Sequence, residues 1–203
     1  TDPPVLVAAV PLPTCRRVGT DPGGKGLWCD QGDAIAWWDD ARDALERPPL
    51  RSQGSAREVA MLRAHVLLTR GDDRLEVFTR ADGTLLPPVT GYGVRRLRPG
   101  PDADLALASE SYYVDVIESG GGRPILRRQH MCSREHPIAA VDCARAGTMM
   151  CVAACDDGRL EQVVLGGTPS TLVPSIGDEV TALALLPGAG ELVIGHRHGG
   201  ISR

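Results

Sequence analysis

Lysine is nearly missing: Lys25 is the single lysine among 22 basic residues. That bias is the codon signature of a GC-rich genome and suggests a bacterial source; it carries no mechanism. Aromatic residues make up only 3% of the chain, so the core has to be built from Val, Leu, Ile and Ala. No apolar run approaches the roughly 18–20 residues that span a bilayer, so no membrane partner is expected. No signal peptide is visible, and because the chain opens on Thr1 rather than Met, an upstream segment is expected to be missing. No block of five like charges occurs and the formal net charge is −4, which argues against a nucleic-acid partner. Arg95, Arg96 and Arg98 form a local basic patch and are read as solvated surface.

Familiar catalytic signatures are also absent. There is no Gly-x-Ser-x-Gly elbow and no phosphate loop, since Lys25 follows Asp21-Pro22-Gly23-Gly24 without the required spacing. Gly120-Gly121-Gly122 precedes no helical pattern and is read as a hairpin loop. The six cysteines (Cys15, Cys29, Cys132, Cys143, Cys151, Cys155) make no CxxC pair. They are expected to be free buried thiols in a reducing cytoplasm. One spacing resembles a zinc site: His130-x-Cys132-x-x-x-His136, with Cys143 beyond. Three of those residues fall on a connection and Cys143 on a strand, so a plain loop with a buried cysteine is expected. His196 and His198 supply two ligands at most and are read as exposed turn residues. No catalytic, metal or cofactor residue is assigned, and no cofactor is expected.

What the chain does have is Gly (24) and Pro (16) in excess, and a degenerate repeat. Glu58-Val59-Ala60-Met61-Leu62 reads as a strand, and so does His65-Val66-Leu67-Leu68-Thr69. After the turn Gly71-Asp72-Asp73-Arg74, the stretch Leu75-Glu76-Val77-Phe78 alternates, and Ala81-Asp82-Gly83-Thr84 closes a hairpin. Asp and Gly at such points supply positive φ and local side-chain hydrogen bonds. The outline recurs in 138–164, in 180–201, more weakly in 94–117, and in a first copy whose strands are expected at 5–10, 26–29 and 34–40. The tight-turn markers Asp33, Asp73, Ser111, Asp157 and His198 are 40, 38, 46 and 41 residues apart. Apolar runs bounded by turn residues indicate strands rather than a helical solenoid, and four-stranded propeller blades repeat at about 40–45 residues.

These segments resemble WD-repeat blades. Trp38-Asp39 matches the family dipeptide in the first blade only; Phe78-Thr79, Ile117-Glu118 and Val164-Leu165 stand there in others, and the Gly-His pair that opens a blade is lost. The resemblance implies an all-β fold: a β-propeller of WD-repeat type, with about five blades of four antiparallel strands at 1–54, 55–91, 92–136, 137–177 and an incomplete 178–203. Because the last blade stops inside its third strand, the chain is expected to be part of a longer propeller, or one completed by a second chain, with a self-contained five-blade ring as the alternative.

In such a fold function lives on loops held by a rigid scaffold. The turns at 31–33, 70–74, 109–111, 155–158 and 196–199 should share one face. The expected partner-binding residues are Trp38, Arg70, Asp72, Asp73, Arg74, Asp156, Asp157, Arg159 and Arg197. Trp37 and Trp38 face opposite sides of a strand; one exposed would be an interface anchor, though core or inter-blade packing is the plainer role. The acidic Asp39, Asp40, Asp43 and Glu46 are read as solvated. The resemblance implies a non-catalytic interaction, sensor or scaffold module of a bacterial cytoplasmic assembly, whose partner is a protein, such as a protease or another effector. The competing readings are an enzyme or small-molecule binder using the central channel, and a structural blade set inside a larger enzyme.

Overall fold

A computed structural model describes residues 14–20, 26–39, 50–51, 56–71, 73–87, 93–186 and 190–203. Among these there are eighteen strands in five antiparallel sheets and no helix. The chain divides into two compact units, Thr1–Ser55 and Ala56–Arg203.

The first unit holds one meander, β1 (Arg17–Thr20), β2 (Gly26–Asp30), β3 (Ala34–Asp39) and β4 (Leu50–Arg51), paired in chain order. The expected first strand at 5–10 lies outside the described residues, and the strand that pairs with β2 is β1. Its sequence, Arg-Val-Gly-Thr, has one strongly apolar residue, Val18, which is exposed. An edge strand needs only backbone partners, so hydrophobic patterning does not reveal it. Two links hold it: the Cys15–Cys29 disulfide, and Arg17, whose Nε and Nη2 lie 2.9 and 2.5 Å from Oδ2 of buried Asp30. Asp30 Oδ1 also accepts the Gly32 N–H at 2.8 Å, closing a turn in which Gly32 has φ 98°, a value that favours glycine.

The second unit holds four meanders. The first is β5 (Glu58–Met61), β6 (His65–Thr69) and β7 (Leu75–Thr79), with a single bridge from Phe78 to Leu85 beyond it. Next come β8 (Arg96–Pro99), β9 (Leu105–Glu110), β10 (Tyr113–Glu118) and β11 (Ile125–His130). Then follow β12 (Ile138–Ala146), β13 (Thr148–Cys155), β14 (Leu160–Val164) and β15 (Ser170–Val173), and finally β16 (Val180–Leu186), β17 (Glu191–His196) and β18 (Ile201–Ser202).

The apolar runs are explained by burial on both faces. In β9, Ala106 and Ala108 pack toward Leu62, Leu67 and Val77 of the preceding sheet. Leu105 and Leu107 pack toward Cys143, Cys151 and Ala153 of the following one. In β13 the alternation continues: Val152 and Ala154 meet Val180, Leu183 and Leu185. Each buried Leu or Val contributes about 1.5–3 kcal/mol, and the alanines let neighbouring sheets approach closely. Val, Leu and Ala thus fill the core, as the scarcity of aromatics requires.

The cysteine expectation is corrected. All six are paired, as Cys15–Cys29, Cys132–Cys155 and Cys143–Cys151. Cys143 and Cys151 stand directly opposite in the β12–β13 register, where side chains on one face of an antiparallel pair meet. No spacing rule exposes such pairs, because they depend on which strands become neighbours.

Candidate interaction rim

Three of the second-to-third-strand turns in the second unit share one hydrogen-bond pattern. Arg70 N–H donates to Arg74 O and Asp73 N–H to Arg70 O; Cys155 N–H donates to Arg159 O and Gly158 N–H to Cys155 O; His196 N–H donates to Gly200 O and Gly199 N–H to His196 O. The third loop residue has positive φ each time: Asp73 57°, Gly158 80° and Gly199 83°. This is the three-residue hairpin loop in which a left-handed residue follows a type I turn. The Asp-rich and Gly-rich tetrapeptides in the sequence encode it.

Two of these turns, and the β9–β10 turn at Ser111, also tie successive sheets together. Asp73 O accepts the Val94 N–H at 3.0 Å, Ser111 O the Ile138 N–H at 2.5 Å and Gly158 O the Ile176 N–H at 2.9 Å. In each case the acceptor is a turn and the donor opens the following sheet.

Most of the expected partner residues are occupied locally. Arg70 pairs with Glu76 at 2.6 Å and Asp73 with Arg57 at 2.8 Å. Asp156 lies 3.2 Å from His136 Nδ1. Asp157 accepts the Arg159 N–H at 3.1 Å, and Arg159 Nε is 3.4 Å from Glu161. Arg197 pairs with Glu179. Arg74 is exposed. Trp38 stands opposite Leu27 in the β2–β3 register; its side chain and the whole of Asp72 lie outside the described residues. Among the described residues, none of these lines the clefts described below.

A cleft does form around Arg95 and Arg96, expected as solvated surface, together with Ser109, Glu110 and Ser111 of the expected rim turn. A cleft of about 350 Å³ is lined by Arg57, Arg95, Arg96, Ser109, Glu110, Ser111, Ile138, Ala139, Glu179, Val180 and Thr181. A narrower space of about 150 Å³ continues past Arg96 to Arg98, Leu107, Ala140 and Leu183. Glu110 is engaged by Arg128 at 3.0 Å, and Arg98 by Asp142 at 2.5 Å. Burial lowers the Arg98 pKa, and the Asp142 charge opposes that shift. Arg128, held by two 2.8 Å bonds to buried Asp115, is raised above the ordinary arginine value mainly by that hydrogen bonding. Arg95 and Arg96 are exposed, and their guanidinium groups have no carboxylate partner among the described residues. Two cations without a carboxylate partner among the described residues therefore line this cleft together with Ser109, Ser111 and Thr181, whose hydroxyl donates to Gly195 O.

The His130–Cys132–His136–Cys143 spacing is dismantled. His130 packs edge-on against Tyr112 and Tyr113, His136 faces Asp156, and Cys143 bonds Cys151. A set with catalytic composition does occur at the last sheet: His196 Nε2 is 2.7 Å from Ser202 Oγ, and His196 Nδ1 is 3.7 Å from Asp178 Oδ2. The order is that of an acyl-transfer triad. The His–Asp separation is too long for a hydrogen bond, and Ser202 and His196 line neither cleft. The set reads as a brace across the β17–β18 turn.

No family model matches the chain, and no curated protein matches it in sequence. Solved structures match in fold. One is the β-propeller domain of Cps50 (Swd1) from Myceliophteria thermophila, with a TM-score of 0.63 at 15% identity over 93% of this chain. The chain spans 64% of that chain's length. At this identity the likeness establishes the fold, a β-propeller whose blades are the meanders described above.

Proposed function

We propose that the chain is a non-catalytic protein-interaction module that docks an acidic segment of a protein partner on its rim, over Arg95 and Arg96. The observation that carries this reading is the pair of guanidinium groups, without a carboxylate partner among the described residues, at a cleft of about 350 Å³, in a chain whose formal net charge is −4. Acidic side chains nearby are consumed by internal pairs, so the cleft mouth offers positive charge to a carboxylate-bearing partner. Arg70 and Asp73, held by ion pairs to Glu76 and to the cleft residue Arg57, stand beside it. Their mixed charge suits a polar interface rather than an obligate apolar one.

A small anion is the second reading, favoured by the hydroxyls of Ser109 and Ser111 beside Arg96. With every cysteine paired, free thiols give no support to a cytoplasmic location. No helix among the described residues is long and apolar enough to cross a membrane.

The test is size-exclusion chromatography of the native preparation with mass analysis of each band. A second polypeptide that co-elutes with the wild-type chain and is lost, or weakened at least tenfold, in Arg95→Glu/Arg96→Glu supports the reading. A single 21.5 kDa species, or a partner indifferent to both substitutions, rejects it. Titration with phosphate and citrate then tests the small-anion reading.

A further inference from the structure

We infer that Cys132, Cys155 and Glu161 form a thiol-gated binding site for a thiophilic divalent cation of the zinc type. The three donor groups, two Sγ atoms and a carboxylate oxygen, lie within 4.8 Å of one another. Cys132 follows β11, Cys155 ends β13, and Glu161 lies on β14 across the 155–159 turn. Both cysteines are buried, and the Glu161 side chain is only 13% exposed. Glu161 is already oriented: its Oε2 accepts the Cys132 N–H at 2.8 Å, while Arg159 Nε lies 3.4 Å from Oε1.

The structure shows the closed state, in which the two sulfurs are bonded to each other. Opening consumes two equivalents of a thiol reductant: the Cys132–Cys155 bond breaks, both sulfurs gain a proton, and the reductant leaves as its own disulfide. Metal binding then displaces those two protons. Zinc takes thiolate at about 2.3 Å and carboxylate at about 2.0–2.2 Å. The two sulfurs would therefore separate to a non-bonded distance, and Glu161 would turn a carboxylate oxygen toward the ion. Two thiolates and one carboxylate carry three negative charges against two on the ion, and the adjacent Arg159 guanidinium offsets the excess. Three protein donors leave the fourth tetrahedral position to water or to an outside ligand. This site is independent of the interaction reading: it lies at the 155–159 turn and shares no residue with the Arg95–Arg96 cleft.

The test uses the full chain reduced with a phosphine under anaerobic conditions and titrated with Co²⁺. One equivalent should bring up thiolate-to-cobalt charge-transfer and tetrahedral d–d absorption, and Zn²⁺ should then displace it. The same signal should persist in Cys15→Ser/Cys29→Ser and in Cys143→Val/Cys151→Ala, vanish in Cys132→Ser/Cys155→Ser, and weaken at least tenfold in affinity in Glu161→Gln. Zinc should also raise the Tm of the reduced chain. The inference is overturned if the reduced chain gives no such absorption or if Glu161→Gln binds as tightly as the parent. It is equally overturned if reduction unfolds the chain and zinc does not restore its circular dichroism.

Discussion

Asp142 Oδ2 accepts the backbone N–H of Leu185 at 2.7 Å, so a side chain on β12 fixes the height of β16 in the next sheet. Its Oδ1 meanwhile takes the Arg98 guanidinium of the preceding sheet at 2.5 Å and the Cys143 N–H at 2.8 Å. One carboxylate thus joins three successive sheets. Glu58 on β5 repeats half of the device by accepting the Leu97 N–H of β8. Acids at these positions satisfy N–H groups that the first strand of a sheet cannot otherwise pair.

Asp142→Ala should destabilise the fold by about 2–4 kcal/mol, because two backbone donors and a guanidinium lose their acceptor together. Asp142→Asn keeps an acceptor oxygen and should cost only about 1–2 kcal/mol. Urea unfolding followed by circular dichroism measures both; equal losses would show that the charge, not the acceptor, is what matters.

Stability should fall on mild acidification through His65. This side chain is buried, its Nδ1 lies 2.7 Å from Ser119 Oγ, and burial pushes its pKa below the ordinary histidine value of 6.5. The unfolded imidazole takes up a proton near that value, whereas the folded one resists it. In that window the unfolded chain binds more protons, so stability is full above about pH 6.5 and declines as the pH drops below it. Unfolding curves between pH 7.5 and 5 should show a slope that His65→Gln reduces; an unchanged slope would assign the effect elsewhere.

Alkylation of the unreduced protein followed by mass analysis should find no free thiol, as all six cysteines are paired. The Cys132–Cys155 and Cys143–Cys151 links span sequence separations of 23 and 8. Loop-closure entropy makes the longer link worth about 1 kcal/mol more. Cys132→Ala/Cys155→Ala should therefore lower stability more than Cys143→Ala/Cys151→Ala does.

Gly100→Ala should cost about 1–3 kcal/mol by overpacking. A Cβ at this position would stand 2.7 Å from Leu105 Cβ and 3.1 Å from its backbone carbonyl, in the β8–β9 turn where Gly100 N–H bonds Leu105 O. A Tm equal to the parent's would mean that the turn can open to admit the methyl group.

The central strands and their tight turns could be read along the chain. The strands β5 to β7, β12 to β14, β16 and β17 fall where apolar runs and turn residues place them, because a hairpin loop is specified within five residues. Asp73, Gly158 and Gly199 mark those loops by the φ they must adopt. Tertiary structure decided whatever depends on distant neighbours. β1 is recruited by backbone pairing and two cross-links rather than by hydrophobicity, and the cysteines choose partners 8 to 23 residues away. The difference between Arg98 and its neighbours Arg95 and Arg96 is of the same kind. One guanidinium finds Asp142 across a sheet boundary and becomes structural, while the other two find no carboxylate among the described residues. Charge pairing over 44 residues is set by how the sheets pack, and that information is absent from any single stretch of sequence.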